Sequence, residues 1–130
     1  MVVHKLKFSV VPGAFAVCRL PADAPPPTWM VRGTFLSVTR SAEELSVVTM
    51  EDVVPSDIKS EKGWACLKLH GPFPFQLTGI LASFIDPLAE AGIPIFAVST
   101  FDTDYVLIKD QDRERSLKAL HGAGHELTAD

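Results

Sequence analysis

Four things are scarce in these 130 residues: cysteine, blocks of positive charge, long apolar runs, and any recognisable catalytic arrangement. Cys18 and Cys66 are the only cysteines. Neither has a Cys-x-x-Cys neighbour, which excludes the usual zinc and dithiol redox motifs. Both lie in apolar alternating runs. The expectation is two reduced core thiols, because free cysteine packs as a small hydrophobe; a disulfide is the alternative. Lys and Arg number 12 against 16 Asp and Glu, for a net charge of −4. The absence of a Lys/Arg block argues against nucleic acid as the main partner. No apolar run reaches the roughly 18 residues of a membrane span. The N-terminus has no apolar h-region or small-residue cleavage site. The expectation is therefore a cytoplasmic chain with no membrane partner. Gly-x-Ser-x-Gly, Walker and Gly-x-Gly-x-x-Gly patterns are missing. His4, His70, His121 and His125 are scattered, and a histidine needs a paired group to act as a general base. No catalytic residue, metal ligand set or cofactor is expected, and the chain reads as a non-enzyme.

What remains is an ordinary globular composition, 47% apolar and 22% charged, enough for one domain or two very small ones. Period-2 alternation predicts a strand over 6–10, with Leu6, Phe8 and Val10 on one side. Val11-Pro12-Gly13 should break it, and a second strand follows over 15–20. Four prolines in 21–27 exclude a regular helix there and predict a stiff connector. Residues 34–39 and 45–50 read as a hairpin with a longer loop, and Pro55 as the opening of a short helix from Ser56. The polar segment 60–63 is the expected boundary between halves, dividing the chain into 1–62 and 63–130.

The stretch 71–109 carries the most information. A strand over 64–70 ends at Gly71-Pro72, and Thr78 is the expected N-cap of a helix. Along it Ile80, Leu81, Phe84, Ile85 and Leu88 form a one-sided stripe. Pro87 interrupts the backbone ladder, and Gly92 fits the left-handed position after the last turn. Strands over 93–98 and 105–108 flank the polar turn 99–104. A second helix over 111–121, capped by Asp110 and closed by Gly122 and Gly124, precedes an edge strand over 126–128. Strand, helix, strand, strand, helix, strand is the βαββαβ order of a ferredoxin-like unit. The order of elements in 1–62 is compatible with a degenerate copy whose first helix has shrunk to the proline segment. The fold class is thus α+β, with two such units packed side by side.

Two segments could carry chemistry, because loops do so more often than the elements they join. The loop 71–79 offers backbone N–H groups at a helix N-terminus, which attract anions. Ser99, Thr100, Phe101, Asp102 and Asp104 put two hydroxyls, two carboxylates and a ring into six residues. Asp102 and Asp104 lack the further oxygen ligands of a Mg²⁺ or Ca²⁺ site. His70, at the strand end, is the histidine best placed to touch a ligand.

The run Gly71-Pro72-Phe73-Pro74-Phe75-Gln76-Leu77-Thr78-Gly79-Ile80-Leu81-Ala82, together with Pro87-Leu88-Ala89-Glu90-Ala91-Gly92-Ile93 and Ser99-Thr100-Phe101-Asp102-Thr103-Asp104-Tyr105, resembles an ACT domain. More narrowly, it is similar to tandem ACT proteins that include the animal cytosolic arginine sensors and the regulatory regions of aspartate kinases. The resemblance covers roughly 64–125; residues 1–60 fit only as a degenerate partner. It implies ACT units paired side by side, with an amino acid at their interface. By position, Phe75, Leu77, Thr78 and Gly79 would form one wall, and Thr100, Phe101 and Asp104 the other, with Asp104 facing the ligand amine. The resemblance also implies an acidic residue in the arginine sensors where Leu77 stands here. Arginine and a smaller, less basic amino acid both stay open. The expected function is a non-catalytic regulatory module that senses an amino acid or similar ligand at an ACT–ACT interface, in a homodimer or with a partner protein. The alternative is a ligand-free oligomerisation or interaction module.

Overall fold

The computed structural model describes residues 3–129. The chain has a mixed α+β fold and forms two compact units, 3–10 with 65–129 and 11–64. Two long strands, β1 (Lys7–Leu20) and β4 (Lys59–Leu69), contribute residues to both.

In the first unit β4 is followed by α1 (Ile80–Glu90), β5 (Ile95–Ser99), β6 (Asp104–Lys109), α2 (Arg113–Gly122) and β7 (Glu126–Leu127). This is the strand–helix order read from the sequence. The start of β1 is an addition to it: Lys7 and Phe8 pair in parallel with Glu126 and Leu127. The strand order is β7-β1-β4-β6-β5. Phe8, Leu67, Leu69, Phe84, Leu88, Val106, Ile108 and Leu120 form the core. Phe8 and Phe84 meet edge to face, with centroids 5.1 Å apart, a favoured aromatic geometry.

The apolar stripe explains why α1 forms and which face it buries: Ile80, Phe84 and Leu88 are all buried. Its N-cap is Gly79, in the left-handed region at φ +83°, and not Thr78. Only glycine occupies that region without a Cβ penalty. Both helices end in Schellman motifs. In α1, Gly92 (φ +73°) donates to Ala89 and Ile93 to Leu88. In α2, Gly124 (φ +93°) donates to His121 and His125 to Leu120. A 3-10 turn, Asp110–Asp112, precedes α2, so that helix starts two residues later than expected. Asp110 pairs with the Arg113 guanidinium at 2.8 Å and makes no cap bond.

Pro87 has no N–H, so the Ser83 carbonyl lacks its donor one turn on. The buried His125 ring supplies a replacement: Nε2 donates to that carbonyl at 2.8 Å. Nδ1 accepts the Leu6 N–H at 3.0 Å. One side chain thus ties the start of the chain, α1 and the end of α2 together.

In the unit 11–64, β3 (Leu45–Met50) lies between β2 (Ser37–Arg40) and β1, antiparallel to both. Cys18, Leu20, Leu45, Val47 and Val54 are buried together, with Trp29 and Met30 against them. No α-helix occurs among its described residues; 3-10 turns cover Thr28–Met30 and Glu51–Val53. Two expectations fail here. No helix opens at Ser56. The segment 60–63 lies within β4, where the Glu51 carboxylate accepts the Gly63 N–H at 2.9 Å. Val11-Pro12-Gly13 does not break the strand; β1 runs through it, because Gly13 at φ +110° absorbs the irregularity.

Both cysteines are reduced and buried. Burial pushes the Cys66 thiol up to about 12. It also raises Cys18, where nearby Lys62 partly opposes it. No helix among the described residues is long and apolar enough to cross a membrane.

Candidate functional site

Two irregular segments of the first unit, 70–79 and 99–104, are fastened to each other by backbone contacts. Gly71 begins the first with a cis bond to Pro72. A Cβ at position 71 would stand 2.8 Å from the Asp102 carbonyl oxygen, so this close approach requires glycine. The Phe73 N–H donates to the same oxygen at 2.9 Å. The second segment closes the β5–β6 hairpin, whose last pair is Ser99 opposite Asp104. Inside it the Thr100 N–H donates to the Thr103 carbonyl at 2.8 Å. The Thr103 N–H reaches Thr100 Oγ1 at 3.3 Å. Buried Thr103 then donates through Oγ1 to the Leu69 carbonyl at 2.7 Å, anchoring the turn to the end of β4.

Between the segments lies an open cleft of about 220 Å³, smaller than the roughly 300–1,000 Å³ of drug-sized sites. Of the expected residues, Phe75, Leu77, Ser99, Thr100, Phe101, Asp102 and Asp104 line it. Thr78 and Gly79 do not. The Thr78 carbonyl accepts from His4 Nε2 at 3.0 Å, and Gly79 borders a different groove with Pro87 and Glu90. Phe73, Pro74, Ile80 and Thr103 complete the lining. None of these four stands out in the sequence as a site residue. Ile80 reads as helix stripe and Thr103 as one of several turn hydroxyls. Gly71-Pro72 could have flagged the close approach, but its partner Asp102 lies 31 positions on.

The chemistry of the cleft is uneven. Asp104 is half-buried, and one of its oxygens accepts the Ser99 hydroxyl at 2.5 Å. Its other oxygen has no hydrogen bond among the described residues. Asp102 is exposed at the rim. No Lys or Arg among the described residues lines the cleft. Phe75 and Phe101 are 73% and 79% exposed and pack edge to face, centroids 5.0 Å apart. Phe101 therefore leans on Phe75 at the mouth and does not plug the cleft. Ile80 brings the first turn of α1 to the wall, where helix geometry leaves amide N–H groups without intrahelical partners. A half-buried carboxylate with a second at the rim, helix-terminal donors and two aromatic rings at the mouth complement a small molecule with an ammonium, an acidic group and some apolar surface. His70 is not in this cleft; its Nε2 bonds Ser9 Oγ at 2.9 Å. No group of three or more His, Cys, Asp or Glu side chains among the described residues is placed to hold a metal ion.

Comparison with known proteins fits this geometry. The ACT domain model matches residues 59–122, and a second model, of an N-terminal domain, matches 13–57. The human cytosolic arginine sensor for mTORC1 subunit 1 is 30% identical over 92 residues, covering 62% of this chain. This chain spans only about 28% of that sensor's length. A crystal structure of an Agobacterium tumefaciens protein is 41% identical, with a TM-score of 0.92 over 97% of this chain and 94% of that one. The ligand-free regulatory subunit of Thermus thermophilus aspartate kinase shares the fold at 12% identity, with a TM-score of 0.61 over 94% of this chain and 99% of that one. Through the segment holding the cleft, the chain belongs to the ACT domain family.

Proposed function

We propose that this protein is a non-catalytic, cytoplasmic regulatory module that binds an amino acid or a closely similar zwitterion in the cleft between the 71–79 loop and the 99–104 turn. The observation that carries this reading is the half-buried Asp104 carboxylate. One oxygen is fixed by Ser99 and the other is uncommitted, in a cleft bordered by the first turn of α1. An ammonium would meet the free oxygen. A carboxylate would meet the amides of the helix terminus, where the dipole favours negative charge. Phe75 and Phe101 would cover the apolar part. In the same reading residues 63–130 are a complete ACT unit and 1–62 a reduced one, ferredoxin-like in ancestry and packed beside it. Thr78 and Gly79 contribute backbone at the loop end. The open side is completed by a second ACT unit, from the same chain, a second copy or a partner protein. The human relative is an arginine sensor, which supports the ligand class. Leu77 favours a less basic side chain than arginine.

Titration calorimetry against the twenty amino acids tests the proposal. At least one should bind at or below millimolar concentration, and D104N should weaken it by about tenfold or more, the ~1.5–3 kcal/mol of a hydrogen bond to a charged group. Binding of none, or full affinity in D104N, would discard the reading. A second reading, a ligand-free oligomerisation module, is favoured by the exposed Phe75, Leu77 and Phe101. It predicts a dimer by light scattering that no amino acid shifts and that F75S/F101S dissociates.

A further inference from the structure

The proline run of the unit 11–64 presents a surface that the cleft does not use. Pro25 and Pro26 each have φ fixed by their own ring and ψ held extended by the proline that follows. Pro27 stands at φ −70° and ψ 145°, the polyproline II values. That helix repeats every three residues, so positions 24 and 27 share one edge while 25 and 26 occupy the other two. Exposure follows the same period: Ala24 and Pro27 are half-buried, and Pro25 and Pro26 are exposed. Both ends are fastened. Ala24 and Trp29 pack against the core of Cys18, Leu20, Leu45 and Val47. The Arg40 guanidinium donates from one terminal nitrogen to the Ala22 carbonyl and from the other to the Ala24 carbonyl, the latter at 2.7 Å. The Pro25 and Pro26 carbonyls accept no hydrogen bond among the described residues.

We propose that Pro25 and Pro26 form a docking ridge for a partner protein whose groove is walled by aromatic side chains, as in the domains that read proline-rich segments. Two adjacent pyrrolidine rings offer apolar faces for aromatic rings to pack against, and the extended carbonyls offer acceptors to an indole or phenol donor in the groove. Prolines lack an N–H, so no donor on the ridge is left unpaired when water is displaced. A free peptide must be ordered on binding. Here the ring constraints, the core anchors and the Arg40 clamp have already ordered the chain, which lowers that entropic cost. The ridge is a single turn, about 9 Å for three residues, so the partner reads a pair of prolines and not a long proline tract. Its role does not depend on the cleft binding anything.

NMR titration of the isotope-labelled full chain with isolated SH3, WW and EVH1 domains tests the proposal. At least one domain should produce saturable shifts at the amides of Asp23, Ala24 and Thr28 and at the Trp29 indole, the prolines having no N–H to report. The proline-rich peptide that occupies that domain's groove should reverse the shifts by competition. P25A/P26A should weaken binding by about tenfold or more, as removal of interface anchors does. P55A, at a proline outside the ridge, should leave binding unchanged. R40Q should weaken it less than P25A/P26A, because it loosens the ridge but keeps both rings. No saturable shift with any of the three domains, or shifts that the competing peptide leaves in place, would overturn the ridge whatever the variants do; so would undiminished binding in a folded P25A/P26A.

Discussion

The two units of this chain, 3–10 with 65–129 and 11–64, meet the same demand, a packed strand layer, with different means. The first carries two α-helices, each closed by a glycine at positive φ. The second has only 3-10 turns among its described residues. The difference begins in the connections. Between Leu20 and β2 the chain spends its length on Pro21, Pro25, Pro26 and Pro27, which cannot sustain an intrahelical ladder. Between Leu69 and β5 it spends it on the stripe of α1. A helix brings a terminus, and a terminus brings unpaired amides and a loop that must approach it. The cleft belongs to the helical unit. The helix-poor unit keeps its polar groups in local bonds such as Thr49 Oγ1 to the Met30 carbonyl at 2.6 Å and the Arg32–Asp52 pair at 2.8 Å.

The contrast can be broken hardest at the two cores. Phe84→Ala in the helical unit should cost about 3–5 kcal/mol and Leu45→Ala in the other about 2–5 kcal/mol, as for truncations at fully buried sites. Because β1 and β4 supply backbone to both units, both variants should move one shared urea transition. Two separate transitions, each moved by only one variant, would show the units to be energetically independent. A smaller effect isolates the turn. Thr103→Val keeps the shape but leaves the buried Leu69 carbonyl without its donor, at about 1–2 kcal/mol. Faster amide exchange in 99–104, with the α2 amides unchanged, would mark the loss as local. Smallest is Asp52. The Arg32 guanidinium lowers its carboxyl below the ordinary 3.8. The folded state therefore gains stability from this group above the ordinary value and loses it as pH falls through the lowered one. D52N should match the parent's denaturation midpoint near neutrality apart from a slight offset, and should flatten the parent's decline only below about pH 4.

Much of the helical unit was legible in the sequence. The stripe from Ile80 to Leu88, the glycines at 92 and 124 and the β5–turn–β6 alternation each carry a local periodic or conformational signal that tertiary context did not override. Residues drawn to the cleft from the polar turn were legible for a different local reason: polar groups crowd there without apolar periodicity. Illegible features depend on partners far along the chain. Gly79 displaced Thr78 as the cap because the loop enters α1 through a left-handed residue, which no propensity ranks above a hydroxyl side chain. The continuity of β1 through Pro12-Gly13 was hidden because both residues are turn formers in isolation. Thr103 looked like any turn threonine until Leu69, 34 residues earlier, supplied the acceptor.

The proline within α1 leaves a mark elsewhere in the chain. Position 87 deletes a backbone donor, and position 125, 38 residues later, replaces it with an imidazole. The two residues act as complementary halves of one hydrogen bond, so neither can be judged alone. Alanine at 87 would restore the ladder and make the histidine redundant toward Ser83. The Leu6 N–H would still rely on the ring's other nitrogen. A histidine that reads in the sequence as one of four scattered rings is therefore a repair, and the proline it repairs is tolerable only while that ring is present.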